Sequence, residues 1–331
     1  MPKTYSVAFW NLENLFDIDT APLARRPEKL AKKIKSELKG WNQAVLDKKL
    51  ARLAEIIGKL NGNQGPDILG VCEVENRHVL DLLNAKLAPL GRNYTVVHED
   101  AKDARGIDVA FLIDTAKFAV VEVFAQFIVK RSATRDLFQV NLKTKPDDRD
   151  LIVVGNHWPS RSGGLLESAP YRMLAGETLA FWHQRMREEK GKNVAIIAMG
   201  DFNDEPFDRS LTNYARSFRS KAKVRNARTP TFHNLMWPEL GARAGSHYFD
   251  NRPNMLDQFM VSRGMILNDA PLKVVDGSVR IEALPEMTQS GQYPGPVRFG
   301  RPFKRGGKKD KKFTGNGYSD HFPISLELRE K

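Results

Sequence analysis

Residues 194–206 read Val194-Ala195-Ile196-Ile197-Ala198-Met199-Gly200-Asp201-Phe202-Asn203-Asp204-Glu205-Pro206. The unbroken apolar run describes a strand buried on both faces, and it stops at Gly200. Asp201 and Asn203 follow at strand spacing, which turns both side chains to one side. A carboxylate and an amide so placed can orient a water and a phosphoryl oxygen together. The same letters also close a strand through an Asx-turn, so their meaning depends on the rest of the chain.

Moving outward, the same arrangement recurs. Asp67 to Asn76 is an apolar run ending in Glu73, Val74 and Glu75. The spacing predicts both glutamates on one side of the strand, oxygen donors suited to a hard cation such as Mg²⁺. A solvated pair before a helix that starts near His78 is the plainer alternative. Asn11 and Glu13 follow the strand Tyr5–Trp10 with the same spacing of two. Leu151 to Trp158 delivers His157 at the end of a buried strand, and Tyr318 to Pro323 delivers Asp320 and His321 before the last one. Asp257 lies inside Met255–Val261; a lone acid there is costly unless partnered, so it is expected to hold a cation or an imidazole. His78, His98, His183, His233 and His247 read as surface or ordinary hydrogen-bonded residues.

Other strand-like runs are Tyr94–His98, Asp108–Ile113, Val120–Val129, Leu137–Thr144 and Ile324–Leu328. Leu46, Leu50, Leu53, Ile57 and Leu60 mark one helix face, as do Val79, Leu82, Leu83 and Leu87, and a longer helix is expected from Tyr171 to Glu189. Residues 207–253 and 263–317 read as loops. Strands with interspersed helices indicate a layered α/β or α+β domain, without choosing parallel or antiparallel pairing.

The bulk properties bound the function. The 331 residues are 41% hydrophobic and 28% charged, which excludes a disordered or fibrous chain. The formal charge of +12 favours polyanions, nucleic acid before membrane surfaces. A single cysteine, Cys72, forbids an internal disulfide and reads as a buried small hydrophobe. The apolar stretch near the N-terminus is too short for a secretory signal, and no segment has a membrane-span length. A cytoplasmic monomer without stable membrane association is the expectation.

In chain order, FWNLENLF, LGVCEVEN, VVGNHWPSR, AMGDFNDEP, LDQFMVS and YSDHFPI resemble the endonuclease/exonuclease/phosphatase (DNase I-like) superfamily. The resemblance spans Asn11 to His321. It implies a single domain over 1–331, a four-layer α/β/β/α sandwich of two packed, mainly antiparallel sheets flanked by helices, with basic loop insertions near 207–253 and 263–317. It implies Glu73 as the main ligand of one or two Mg²⁺ or Mn²⁺ ions, with Asn11, Glu13 and Asp320 nearby. His321, oriented by Asp257, resembles the family's His–Asp pair, Asp201 and Asn203 orient or deprotonate the nucleophile, and His157 contacts the scissile phosphate.

The basic residues bear on the substrate. Arg298 to Lys312 holds eight Lys/Arg, among them Arg301, Lys304 and Arg305, against one acid, Asp310; Arg216 to Arg228 holds six more and no acid. Flanking the cleft, both would form a track for a polyanion, with Phe299, Phe303 and Phe313 able to stack bases or simply to pack. Arg161 and Arg172 are further candidates for the phosphate. A nuclease acting on DNA, or on RNA, is therefore the leading expectation. A phosphatase or phosphodiesterase for a small anionic ester, such as an inositol phosphate or phospholipid headgroup, is the alternative, and an inactive nucleic-acid-binding module is the reading from another class. The elaborations Ala21–Gln43 and Arg161–Pro170 have no role legible in the sequence.

Overall fold

A computed structural model describes residues 3–331 apart from 102, 104, 132, 242, 243, 293 and 301–311. In chain order the strands are β1 (Lys3–Leu15), β2 (Ile68–Val74), β3 (Tyr94–His98), β4 (Asp108–Asp114), β5 (Phe118–Gln126), β6 (Leu137–Thr144), β7 (Asp150–His157) and β8 (Ile196–Asp201). They continue with β9 (Ser217–Phe218), β10 (Phe232–Asn234), β11 (His247–Phe249), β12 (Arg252–Asn254), β13 (Asp257–Val261), β14 (Leu272–Val274), β15 (Arg280–Ile281), β16 (Thr288–Gln289), β17 (Gly295–Pro296) and β18 (Ile324–Glu330). The helices are α1 (Glu28–Leu38), α2 (Gln43–Asn63), α3 (Arg77–Leu87), α4 (Leu165–Lys190) and α5 (Lys221–Asn226).

Two seven-stranded sheets form the body, ordered β14-β18-β1-β2-β4-β3, with β15 also on β18, and β5-β6-β7-β8-β13-β10-β9. Pairing is mainly antiparallel; β1 with β2, β7 with β8 and β9 with β10 run parallel. The first and last strands are neighbours, with Lys3 opposite Glu330.

The layers follow from strand alternation. Val7 and Phe9 of β1 and Ile197 and Met199 of β8 enter the core between the sheets. Ala8, Trp10 and Leu12 face α2 and α3, while Ile196 and Ala198 face α4. This is the α/β/β/α sandwich. Glycine is required where the sheets press together: a Cβ on Gly155 of β7 would sit 2.5 Å from Val109 Cγ1 of β4. Asn42 and Asn76 cap α2 and α3 by accepting the Val45 and Val79 N–H groups.

Two expectations change. α4 begins at Leu165 and carries Pro170 inside it, so the proline does not mark its boundary. The segments read as loops hold short strands: β9 and β10 extend the second sheet, and β14 and β15 edge the first. Their two or three residues each are too few for a period to show.

Candidate active site

Register assembles the site. His157 lies opposite Asp201, and Asp201 opposite Asp257, so β7, β8 and β13 present the three side chains abreast at one end of the second sheet. Gly200 permits that alignment, since a Cβ there would lie 2.1 Å from the Asn156 carbonyl oxygen. The first sheet brings Asn11 and Glu73 to the same place through parallel β1 and β2. His321 arrives from the segment before β18. Its carbonyl accepts the Trp10 Nε1–H (2.8 Å), its N–H donates to Ser319 Oγ (3.1 Å), and Ser319 Oγ donates to the Asn11 carbonyl (2.6 Å).

Asp201 is the hub. Asn11 Nδ2 donates to its Oδ2 at 3.1 Å, and the Nε2 atoms of His157 and His321 stand 3.8 and 3.9 Å from that oxygen. Glu73 Oε1 is 3.7 Å from His157 Nε2. His321 Nδ1 and Asp257 Oδ2 are 2.6 Å apart, so Asp257 partners an imidazole. Asp257 Oδ1 and His157 Nδ1 are buried with no hydrogen-bond partner among the described residues.

Glu73 leaves its strand at a bulge, with φ of 61°, and the Asn14 N–H donates to its Oε2 at 2.9 Å. That left-handed residue breaks the two-residue alternation. Glu75 therefore does not share a face with Glu73: its carboxylate is clamped by Arg26 (2.5 Å) and the Asp17 N–H (2.7 Å). Asn203 is likewise left-handed (φ 51°), its N–H donates to Asp201 Oδ1 at 2.9 Å, and its side chain donates to the Trp158 carbonyl. Here the Asx-turn and the site geometry are one feature. Glu13 is buried with both oxygens engaged, Oε1 by Arg298 (2.7 Å) and Oε2 by the Phe299 N–H (3.0 Å).

The electrostatics reflect crowded acids. Burial pushes Asp201 up to about 6, with Asp257 and Glu73 adding to it against His321. Burial, then Asp320, raises Glu13 to about 8. Burial opposes charge on His321, yet Asp257 and Asp201 hold it well above the usual imidazole range. His157 goes the other way, held neutral by burial and by Arg135 and Arg105. Burial also opposes charge on Asp320, and His321 and Arg298 outweigh it and lower its pKa.

Of the arginines expected at the phosphate, Arg172 is turned away from the cleft and Arg161 is engaged in the turn beside it. Arg172 is fully buried, paired with Asp204 at 2.7 Å and bonded to Ser168, so it props the loop from inside and does not face the cleft. Arg161 donates to the Asn203 carbonyl (2.7 Å) and pairs with Asp204 and Asp208, bracing the turn that carries Asn203. Arg301, Lys304 and Arg305, with Phe303, lie outside the described residues. The basic run at 216–228 does not flank the site. Arg263 donates to the Arg225 carbonyl and hydrogen-bonds Asn193, which precedes the start of β8. Asp201 closes the opposite end of β8, about 17 Å away at ordinary strand rise.

Four groups were missed by sequence reasoning. Arg135 donates to the carbonyls of His157 (3.1 Å) and Trp158 (2.8 Å), fixing the strand end, with Asp103 behind it at 3.1 Å. Arg105 hydrogen-bonds Asn14 Oδ1. Lys49 is buried behind Glu13 and Asp320, donating to the Tyr318 carbonyl at 2.6 Å, and burial lowers it to about 8. His247 packs tilted against His321 (centroids 4.6 Å, 39°), and burial, then His321, brings it down to about 4. Lys49 is a regular core position of α2 and His247 a loop-like residue; neither carries a local signal. Arg105 and Arg135 sit in irregular segments.

The donor set suits a hard divalent cation. Beyond burial, Asp257 and Glu73 raise Asp201, Asp320 raises Glu13, and the Asn11 amide bonds Asp201; a cation among these acids would relieve that repulsion. Since Asn11 Oδ1 already accepts the Glu13 N–H (3.0 Å) and Glu13 is engaged by Arg298, Glu73 and Asp320 present the less committed oxygens. Among the described residues, the grouping whose ligand atoms lie within 4.8 Å of one another is a different one, His98, Asp100 and Asp108. Among the described residues no helix is long and apolar enough to cross a membrane.

Comparison with known proteins agrees with this architecture. No curated protein sequence matches the chain. Among solved structures, an endonuclease/exonuclease/phosphatase family protein from Bacteroides thetaiotaomicron is similar over 100% of this chain and 99% of its own, at 16% identity and a TM-score of 0.57. A TDP2 from D. rerio, humanized by 14 mutations, is similar over 98% of both chains at 12% identity and TM-score 0.58. The mannosyl-6-phosphatase of Bacteroides thetaiotaomicron VPI-5482 is similar over 98% of this chain and 99% of its own, at 17% identity and TM-score 0.56. At these identities the likeness concerns the fold. The sequence model of the Endonuclease/Exonuclease/phosphatase family matches residues 6–330, and the chain belongs to that family of phosphoesterases.

Proposed function

We propose that the protein is a divalent-metal-dependent phosphodiesterase that hydrolyses nucleic acid, DNA foremost, by attack of water on the phosphodiester. The observation that carries the reading is the row His157–Asp201–Asp257 across the second sheet, closed by His321 on Asp257 and faced by Glu73 from the first sheet. Such a cleft offers both a base and positive charge, which a phosphodiester requires because its anionic oxygens repel a nucleophile.

Each residue then has a task. Asp201, raised by burial yet ionised near neutrality, accepts the proton of the attacking water, which Asn203 and Asn11 help to orient. His321, kept cationic by Asp257, faces the developing negative charge on the phosphoryl oxygens. His157, held neutral, donates a hydrogen bond to a non-bridging oxygen without bringing a charge beside Glu73. Glu73 and Asp320 would hold a Mg²⁺ or Mn²⁺ ion, with Asn11 and Glu13 close by; when bound, such an ion supplies Lewis-acid stabilisation of the phosphoryl charge.

The test is cleavage of plasmid DNA by the purified chain. Nicking with Mg²⁺ or Mn²⁺ is expected, abolished by EDTA and reduced at least ~100-fold in Asp201→Ala and in His321→Ala. Hydrolysis of bis-p-nitrophenyl phosphate without any cleavage of DNA or RNA would assign a small phosphoester substrate instead. Binding of DNA without hydrolysis of any phosphoester would make the protein a binding module.

A further inference from the structure

The elaboration at residues 21–43 builds a pocket. The apolar face of α1, Leu30, Ile34 and Leu38, packs with Phe16, Trp41, Ile107 and Phe299 into a small core separate from those of the sandwich. Trp41 stands edge-on to Phe16 (6.3 Å, 83°), Phe299 (5.9 Å, 77°) and Phe313 (5.2 Å, 82°), and its Nε1–H is spent on the Phe16 carbonyl. These rings form the inner wall of a cavity of about 250 Å³, and Phe313 is the one that is only partly buried. The opposite wall is polar: Asn14, Ser36, Glu37 and Arg298.

The pocket adjoins the active site. Arg298 spans the two, 2.5 Å from Glu13 Oε1 in the pocket wall and 3.6 Å from Asp320 Oδ2. Asn14 lines the pocket with its side chain and holds Glu73 with its N–H. A group covalently attached to a phosphate beside Glu73 and Asp320 would thus lie next to this pocket.

We propose that this pocket receives the nucleobase of an unpaired nucleotide next to the scissile phosphate; the proposal rests on the phosphodiesterase reading and names its substrate. Three features select that ligand. Phe313, the lining ring that is only partly buried, can take the π-face of any base, backed by the buried Phe16, Trp41 and Phe299. Glu37, the Asn14 amide nitrogen and Ser36 offer a carboxylate, an N–H donor and a hydroxyl for a base edge, Asn14 Oδ1 being bonded to Arg105 and Glu37 held only loosely, 3.6 Å from Arg105. Phosphates on either side have basic surface to follow: Lys29, Lys32, Lys33, Lys35 and Lys39 are exposed on and beside α1, the helix whose Ser36 and Glu37 line the pocket. The cavity lies below the ~300–1,000 Å³ range of sites for larger ligands. A cavity of this size suits a single base, and a base reaches it single-stranded or turned out of its duplex.

Three p-nitrophenyl phosphodiesters share one leaving group and test this: the thymidine 5′ ester, the thymidine 3′ ester and the methyl ester. In the wild type, kcat/KM for one thymidine ester is expected to exceed that for the methyl ester about ten-fold or more, the size of one stacked base. Ser36→Trp, which fills the pocket from an exposed helix position, and Phe313→Ala should bring that ratio close to one; using the ratio cancels any general loss of folded enzyme. A wild-type ratio near one, or a ratio indifferent to Ser36→Trp, overturns the pocket. Equilibrium dialysis with thymidine 5′-phosphate and thymidine 3′-phosphate needs no turnover. Binding of either that is lost in Ser36→Trp supports the pocket even if no ester is cleaved, in which case only the hydrolytic reading fails; no binding of either nucleotide overturns the pocket.

Discussion

At the scale of single residues, the site is made by side chains whose backbone departs from regular strand geometry. Glu13, Asn14, Glu73 and Asn203 all have positive φ without being glycine. Each such residue stores about 1–3 kcal/mol, retained only where the surroundings over-determine it, and all four meet at one cleft. Sequence spacing located the acids but could not see this, because the left-handed turn changes where a side chain points without changing its letter. His247 shows the same limit from another side. The Ser246 hydroxyl accepts the Asp257 N–H (2.9 Å) and its carbonyl accepts the Phe322 N–H (2.7 Å), so the residue before His247 is tied to both flanks of the His321–Asp257 pair. His247 is thereby laid as a neutral ring against His321. We expect His247→Ala to lower kcat on DNA about ten-fold, the upper end of what a ring–ring contact contributes, with KM little changed. His247→Phe should restore most of the loss, which separates the ring packing from a substrate contact. Equal losses in both variants would assign the role to a ring nitrogen.

At the scale of elements, the sequence was legible where a strand is long and buried. Tyr94–His98 and Leu137–Thr144 have the boundaries expected of them, and His157 and Asp201 end their strands as the apolar pattern placed them, whereas β1 runs on through Asn11 and Glu13 to Leu15 and Asp257 opens β13. What alternation could not supply was the bulge after Cys72 and the partner of Glu75, because that partner, Arg26, comes from the elaboration whose purpose the sequence conceals. Arg26 donates Nε to Glu75 Oε1 (2.5 Å), and its two terminal nitrogens bond Glu75 Oε2 and the carbonyls of Asp17 and Ile18. The pair is 1% exposed on both sides, so it is screened little. It fastens the segment that follows Phe16 to the end of β2, and with it the ground on which α1 stands. Arg26→Met leaves a buried carboxylate short of its cation and is expected to destabilise the fold by ~3–5 kcal/mol, whereas Arg26→Met with Glu75→Leu should recover most of that. Urea denaturation of both variants checks it. A single variant as stable as the double one would show that the pair fastens nothing.

At the scale of the whole molecule, charge separates what is near the cleft from what is merely basic. The excess of +12 over 331 residues said that a polyanion is a suitable partner, but not where it lies. The fold divides that excess. The run at 216–228 is spent far from Asp201, with Lys221 on Asp276 (2.6 Å) and Lys223 over the Phe218 ring (3.5 Å). The lysines of α1 belong instead to the helix whose Ser36 and Glu37 line the pocket, and the Lys32–Glu28 pair among them is 74% and 69% exposed, too open to hold its charge away from a ligand. If α1 carries the strand, its contacts release counterions, and log kcat/KM on single-stranded DNA falls linearly with log salt by about 0.7 per phosphate engaged. Changing Lys29, Lys32, Lys33 and Lys35 together to Gln is expected to flatten that slope by about 0.7 for each contact removed. Changing Lys221, Lys223, Arg225 and Arg228 to Gln removes as many charges and should leave the slope as it was. The measurement is kcat/KM from 50 to 300 mM KCl for the wild type and both variants. A flattening of the same size in both would mean that DNA answers to total charge alone, and would remove α1 from the path of the strand.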